Sequence, residues 1–301
     1  MNSLNILVIG GAGFLGSHVA DALSDEGYNV KIFDREKSRW LRSDQEMIIG
    51  DILDIELLIE STRNCFAVYN FAAIADLNEA IIKPIETVKI NVLGNVHILE
   101  ACRRNNVKRY IYASTVYVHS REGGFYKCSK RASEAYVEEY QKCYDLDYTI
   151  LRFGSLYGPR SDEHNGLYRI VKEVLKSGIV KYEGNVESVR EYIHVEDAAR
   201  ASVSVLGKEF VNQHIVLTGH EPLKVLDLLK MVAEILDIKD DIQFEDLPYA
   251  GHYVRTPYAY QTNLGRKYIP PMHVDLGQGL LQLIDEIYLS LKLNESNENN
   301  K

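Results

Sequence analysis

No apolar run in this 301-residue chain approaches the roughly 20 residues that a membrane-crossing helix requires. Positive charge is also scarce. Lys and Arg number 34 against 43 Asp and Glu, a net charge of −9, and no Lys/Arg cluster offsets it. A nucleic-acid-binding surface is therefore not expected, although a local pocket can still hold an anion. The four cysteines, Cys65, Cys102, Cys128 and Cys143, form no CxxC pair, so neither a disulfide framework nor a zinc site is expected. No His/Asp/Glu cluster has metal-ligand spacing, and no metal is expected. A charged segment followed by a short apolar one, the mark of a secretory leader, is missing at the start. The expectation is a soluble cytoplasmic protein in a reducing compartment. Internal repeats and low-complexity linkers are lacking too. With 46% apolar residues the chain can bury a sizeable core, as one large domain or two intimately joined ones.

What the first half does contain is strict alternation. Short β-rich runs lie at Ile6–Ile9, Val30–Phe33, Met47–Ile49, Ala67–Phe71, Arg109–Ala113 and Tyr148–Arg152. Helical patterns fall between them, at Gly16–Asp25, Asp54–Ser61, Val88–Asn105 and Ser129–Cys143. Such alternation predicts a parallel sheet with helices on both faces. After Arg152 the pattern loosens at Gly154, Gly158 and Pro159, and His214–Leu217 is a strand candidate that rejoins the sheet. The expected class is α/β: a Rossmann doubly wound parallel sheet with a smaller mixed substrate-binding C-terminal region. The divisions are 1–160 for the dinucleotide half, with 191–218 rejoining it, 161–293 for the substrate half, and a frayed polar tail at 294–301.

The most informative stretch is Gly10-Gly-Ala-Gly-Phe-Leu-Gly-Ser-His18, which follows a strand and opens a helix. Gly10, Gly13 and Gly16 stand at GxxGxxG spacing. The first glycine allows a tight turn, the second close approach to a pyrophosphate, and the third close packing of helix on strand. The helix N-terminus then faces the phosphates. Asp34 ends the second strand about twenty residues on, where a carboxylate accepts both ribose hydroxyls of NAD and repels the extra phosphate of NADP. Arg35 follows and could soften that exclusion. Asp51, in Gly50-Asp51-Ile52, either meets an adenine amino group or serves as a turn or N-cap residue for the next helix.

Tyr126 and Lys130 are four apart at the start of a helical stretch and so share a face. A tyrosine is a poor base alone. An ammonium and a nicotinamide cation nearby both favour its phenolate. Tyr-x-x-x-Lys is weak by itself in a chain with 20 tyrosines. It gains weight from Ala113-Ser114-Thr115 at the end of the fifth strand candidate, the carboxyl edge where ligands of such sheets bind.

These segments occur in order with Asn70-Phe71-Ala72-Ala73, Asn91-Val92-Leu93-Gly94, Leu151–Arg160 and Arg190–Asp197. Over most of its length the chain thus resembles the extended short-chain dehydrogenase/reductases that act on nucleotide sugars. The resemblance implies NAD as cofactor, with Gly10, Gly13, Phe14, Leu15, Gly16, Asp34, Arg35, Asp51, Ile52, Phe71, Ala72, Ala73, Asn91 and Lys130 around it. It implies that Tyr126 is the base, that Lys130 orients the ribose and lowers the tyrosine pKa, and that Thr115 holds the reacting hydroxyl. Hydride then passes between a sugar carbon, usually C4, and the nicotinamide. Asn91 either bonds near the lysine or distorts its helix.

Within that family, 4,6-dehydratases carry Thr-Asp-Glu where this chain has Thr115-Val116-Tyr117. With no carboxylate, expulsion of water lacks its acid and base. The expected activity is nucleotide-sugar 4-epimerisation through a 4-keto intermediate. The alternative is a 4-dehydrogenase releasing a 4-keto sugar and NADH, with a dehydratase or a non-catalytic NAD-binding protein behind it. Three features depart from the family pattern: a short segment, 116–125, between Thr115 and Tyr126; Ser155 where asparagine is usual; and His252 and Arg255 in 250–260. Arg190 is the candidate clamp for the diphosphate, against a surface salt bridge with Glu187 or Glu191. Arg255 is a second clamp candidate, against a structural role, and Ser155 a further substrate contact. His194, in an apolar Ile-His-Val run, reads as a packed structural histidine. Apolar stripes on Val88–Asn105 and Ser129–Cys143 suit a homodimer.

Overall fold

Valine, isoleucine and leucine crowd the strands because both faces of the sheet are covered. In strand β1 (Asn5–Ile9), Ile6 and Val8 enter one core while Leu7 and Ile9 enter the other, as the two-residue period of a strand requires. The computed structural model describes residues 4–185, 187–238, 242–245, 266–268 and 270–298. After β1 come α1 (Phe14–Asp25), β2 (Asn29–Asp34), β3 (Gln45–Ile49), α2 (Ile55–Ser61) and β4 (Ala67–Asn70). Two short helices, α3 (Leu77–Ile82) and α4 (Pro84–Val88), lead into a π-helical turn at Lys89–Gly94 and then α5 (Asn95–Arg104). Next are β5 (Arg109–Thr115), a 3-10 turn at Val116–His119, α6 (Gly124–Tyr144) and β6 (Tyr148–Phe153).

The remainder runs β7 (Ser155–Tyr157), α7 (Gly166–Ser177), β8 (Val180–Glu183), β9 (Val189–Arg190) and β10 (Tyr192–His194). It continues with α8 (Val195–Ser204), β11 (Gln213–Leu217), β12 (Leu223–Lys224), α9 (Val225–Ile235), β13 (Ile242–Glu245), β14 (Arg266–Lys267) and α10 (Leu276–Glu298). Eight strands form one sheet in the order β14-β11-β6-β5-β4-β1-β2-β3, and every pairing in it is parallel. The winding reverses between β1 and β4. That reversal opens a crevice at the carboxyl ends of the strands, where ligands of doubly wound sheets sit.

Helices α1 and α8 pack together over one face of the sheet, and residues of α5 join the core on the other. The C-terminal half contributes β11 and β14 to the sheet edge and builds its own core from Leu167, Val171, Leu228, Val232, Leu280 and Leu283. Arg160 ties the halves together. Its guanidinium meets Asp21 of α1 at 2.7 Å, and its backbone N–H donates to the Glu286 carboxylate of α10.

The helical expectations needed correction at several ends. The Val88–Asn105 stretch is not one α-helix but the end of α4, a π-helical turn and α5. Helix α6 starts at Gly124, ahead of the expected Ser129, because Gly123 at φ +98° turns the chain sharply into it. The tail expected to fray from Asn294 has helical backbone through Glu298. Helix α2 begins as its sequence suggests, with the Asp54 side chain accepting from the Leu57 N–H at 3.1 Å. Asp54→Ala should lower stability by about 1 kcal/mol through loss of this cap. Urea denaturation checks this, and an unchanged midpoint would contradict the capping role.

Candidate functional site

The glycine turn is shaped by backbone crowding. Gly10 has φ +76°, and a Cβ there would stand 2.6 Å from the Ala72 backbone nitrogen. A Cβ on Gly16 would lie 2.2 Å from the Gly10 carbonyl oxygen. Gly13 precedes α1 as its N-cap residue without a side-chain cap, so the first amides of the helix are left to a ligand. Phe14 and Leu15 begin that helix. The donor set and the space kept clear by glycine fit a dinucleotide pyrophosphate.

Asp34 closes β2 and turns back to the glycine loop, accepting from the Ala12 N–H at 3.0 Å. The exposed Arg35 follows it. Asp51 makes a local turn, with its carboxylate accepting from the Leu53 N–H at 2.9 Å, while Asp54 is the true cap of α2. Ile52 is buried against Gly94, where a Cβ would meet its side chain at 2.5 Å. Phe71, Ala72 and Ala73 follow β4 across the crevice from the glycine turn, and the Phe71 N–H donates to the Ile9 carbonyl.

Asn91 sits in the π-helical turn and fastens two parts of the site together. Its amide oxygen accepts from the Ile74 N–H, and its amide nitrogen donates to the Ile74 carbonyl and to the Ser129 hydroxyl. The helix is π-helical at this residue, and its side chain bonds to Ser129, the neighbour of Lys130.

Thr115 ends β5 and caps the following 3-10 turn through the Tyr117 N–H. Tyr126 lies in the first turn of α6, with Lys130 one turn further on. The Lys130 ammonium donates to the Ala113 carbonyl at 2.7 Å and lies over the rings of Tyr112 and Tyr126, 4.8 and 5.9 Å from their centroids. Burial acts against both charges. It pushes the Tyr126 phenol up to about 12, partly opposed by Thr115, and pulls Lys130 down to about 7, partly opposed by Glu134.

On the substrate side, Ser155 opens β7, which pairs with β10, and its N–H donates to the Glu191 carbonyl. Arg190 is 5% exposed, and its Nη1 donates to the Val189 carbonyl at 3.1 Å. Glu187 pairs with Lys224, and Glu191 with Lys267. Arg255 lies outside the described residues. His194 is buried against Tyr157, as its apolar surroundings suggest. A cavity of about 880 Å³ between α1 and α8, lined by His18, Asp21 and Arg200 among others, contains none of these site residues.

Sequence reasoning passed over the polar residues behind the site. Glu134 is held by Ser114 and Arg152, and Asn70 joins Asn95 and Tyr110 in a buried network. One signal was available: an arginine inside the otherwise apolar segment Ile150-Leu-Arg-Phe153 requires a buried partner.

A family model described as the NAD dependent epimerase/dehydratase family matches residues 6–218. A UDP-glucose 4-epimerase of Mycolicibacterium smegmatis is 28% identical, the match covering 68% of this chain and 74% of that one. A dTDP-glucose 4,6-dehydratase of Mycobacterium tuberculosis is 25% identical, over 94% of this chain and 92% of its own. Among solved structures, UDP-glucose 4-epimerase from Thermotoga maritima with UDP-glucose superimposes with a TM-score of 0.82 at 27% identity, over 96% of this chain and all of the other. Gly10→Ala should weaken NAD binding by about tenfold or more, equivalent to about 1.4 kcal/mol. Calorimetric titration with NAD measures this, and unaltered affinity in the variant would refute the crowding argument.

Proposed function

The chain belongs to the NAD dependent epimerase/dehydratase family, and we propose that it is a nucleotide-sugar 4-epimerase. One observation carries the choice within the family. Thr115, Tyr126 and Lys130 converge at the carboxyl edge of β5, while the next residue, Val116, is 1% exposed and packs with Val216. An apolar, inward-packed side chain stands where a dehydratase needs its acid.

The glycine turn, Asp34 and the Phe71–Ala73 segment would hold NAD, and Lys130 would orient its ribose. When bound, NAD would supply the hydride acceptor and donor, and its positive charge would add to that of Lys130 in favouring the Tyr126 phenolate. Tyr126 Oη takes the proton of the C4 hydroxyl, and Thr115 Oγ1 holds the same oxygen in place. Lys130 stabilises the phenolate while its ammonium stays anchored to the Ala113 carbonyl. Arg190 clamps the diphosphate and Ser155 lies along the sugar nucleotide. After the keto sugar turns over, hydride would return from bound NAD to the other face of C4 while Tyr126 returns its proton to the C4 oxygen.

The short segment between Thr115 and Tyr126, a 3-10 turn closed by Gly123, supports a second reading. If it prevents the sugar from turning, the same residues release a 4-keto sugar and NADH.

A homodimer completes the reading. Most of the large apolar side chains of α5 are used in the chain's own core. Ile82, Ile85, Val88 and Leu93, on the preceding short helices and π-helical turn, are 77%, 71%, 56% and 45% exposed. Such a patch suits a second copy. The thiols of Cys65, Cys102, Cys128 and Cys143 are all free, which supports a reducing, cytoplasmic setting.

Incubation with UDP-, dTDP- and GDP-sugars should give a product of unchanged mass with an altered sugar NMR spectrum. Loss of two hydrogens with NADH appearing would select the dehydrogenase, and loss of water would overturn the role given to Val116. Tyr126→Phe should lower turnover by about 10²–10⁴-fold. Ile85→Glu should shift the mass seen by light scattering from dimer to monomer, and a monomeric parent protein would sink the dimer.

A further inference from the structure

Behind Lys130 lies a chain of alternating charge that the reaction as described does not use. Glu134, one helical turn beyond Lys130 on α6, is 6% exposed. Its Oε1 accepts from the Ser114 hydroxyl at 2.5 Å and from Arg152 Nε at 3.0 Å, and its Oε2 accepts from Arg152 Nη2 at 2.7 Å. Arg152 Nη2 also lies 2.6 Å from His214 Nδ1. A guanidinium only donates, so Nδ1 is the acceptor and the ring proton sits on Nε2. That proton faces Glu138 Oε1 at 3.0 Å, at the half-exposed outer end of the chain. Strands β5, β6 and β11 and helix α6 each supply one link or more.

A carboxylate four residues from a lysine on one helix ordinarily reaches it directly. Here both oxygens of Glu134 are engaged by Arg152 and Ser114. Among the described residues Lys130 has no ion pair, and its ammonium donates to the Ala113 carbonyl. Two of its three N–H groups therefore remain for a ligand. The other titratable groups facing this region are Tyr126 on α6, Tyr112 on β5 and Tyr148 on β6. None is a carboxylate, which leaves Glu134 as the nearest negative charge within this set. We propose that Glu134 is a fixed counter-ion for Lys130, held off it by Arg152 and Ser114 so that the ammonium keeps both its charge and its free donors. His214 and Glu138 brace the outer side of Arg152. Glu134 is a positioning residue, since it acts through Lys130.

The inference rests on the site reading above only for its value to catalysis, and its test is independent of turnover. The protein is labelled with ¹³C at the lysine side chain, and the Lys130 resonance is identified by its loss in Lys130→Met. Its titration is then followed by NMR. Removing the negative charge in Glu134→Gln should leave Lys130 easier to deprotonate, with its midpoint lower by about one pH unit, a tenfold change. Glu134→Asp should restore most of the midpoint. Glu138→Gln, at the half-exposed end, should move it the same way by less, about twofold. A folded Glu134→Gln protein with an unmoved Lys130 titration would overturn the proposal even if its melting temperature fell. Should Glu134→Gln not fold, a stationary titration in Glu138→Gln overturns it instead. Failure of the sugar-panel assay with a shifted Lys130 midpoint would refute the epimerase reading alone.

Discussion

The arrangement depends first on how closely α1 approaches the end of β1. A Cβ at Gly16 would overlap the Gly10 carbonyl, and one at Gly10 would press into the backbone at Ala72. Three backbone segments, the end of β1, the start of α1 and the chain leaving β4, therefore meet with no side chain between them. The crevice at the sheet reversal exists because of this contact, and helix amides line it instead of side chains. Asp34 adds a carboxylate fixed on the Ala12 N–H, which joins β2 to the same turn.

The second constraint is electrostatic. A phenol and an amine buried together each resist ionisation, and burial displaces Tyr126 and Lys130 in opposite directions. The fold places several compensating groups nearby. The first turn of α6 carries Tyr126, and the positive helix end favours a phenolate there. Thr115 partly offsets the upward push on the phenol, and the Glu134–Arg152 pair supplies charge behind the lysine. A buried pair such as Glu134–Arg152 adds little net stability, yet removal of one partner costs about 3–5 kcal/mol. Its place behind Lys130 accounts better for its presence than a stabilising role does.

The central strands were legible because a parallel sheet covered on both faces needs continuous apolar runs, as in Ile6-Leu-Val-Ile9. The glycine turn, Asp34, Thr115, Tyr126 and Lys130 were legible for a related reason. The first three lie at a strand end or in the turn after it, and Tyr126 and Lys130 lie in the first two turns of the helix that follows β5, so local order along the chain already places them at one edge. The short helices α3 and α4 were not, since six- and five-residue segments hold too little periodicity to show. The π-helical turn at Asn91 depends on what its side chain reaches, Ile74 and Ser129, and no local pattern encodes that. The partners in the Ser114–Glu134–Arg152–His214 chain were equally hidden, because its members are separated by 18 to 62 residues, and the buried arginine alone signalled that a partner was needed.

By itself the sequence determined the doubly wound α/β class, the dinucleotide crevice and the pairing of Tyr126 with Lys130 on one helix face. These follow from steric and periodic rules that act within a few residues of each other. Only the tertiary structure decided that Val116 turns into the core against Val216, that Arg190 is buried, and that Asp51 serves its own turn. It alone decided, too, that Glu134 is bound by an arginine that β6 brings alongside the helix. Burial and charge compensation are set by whatever packs alongside, and those neighbours come from distant parts of the chain.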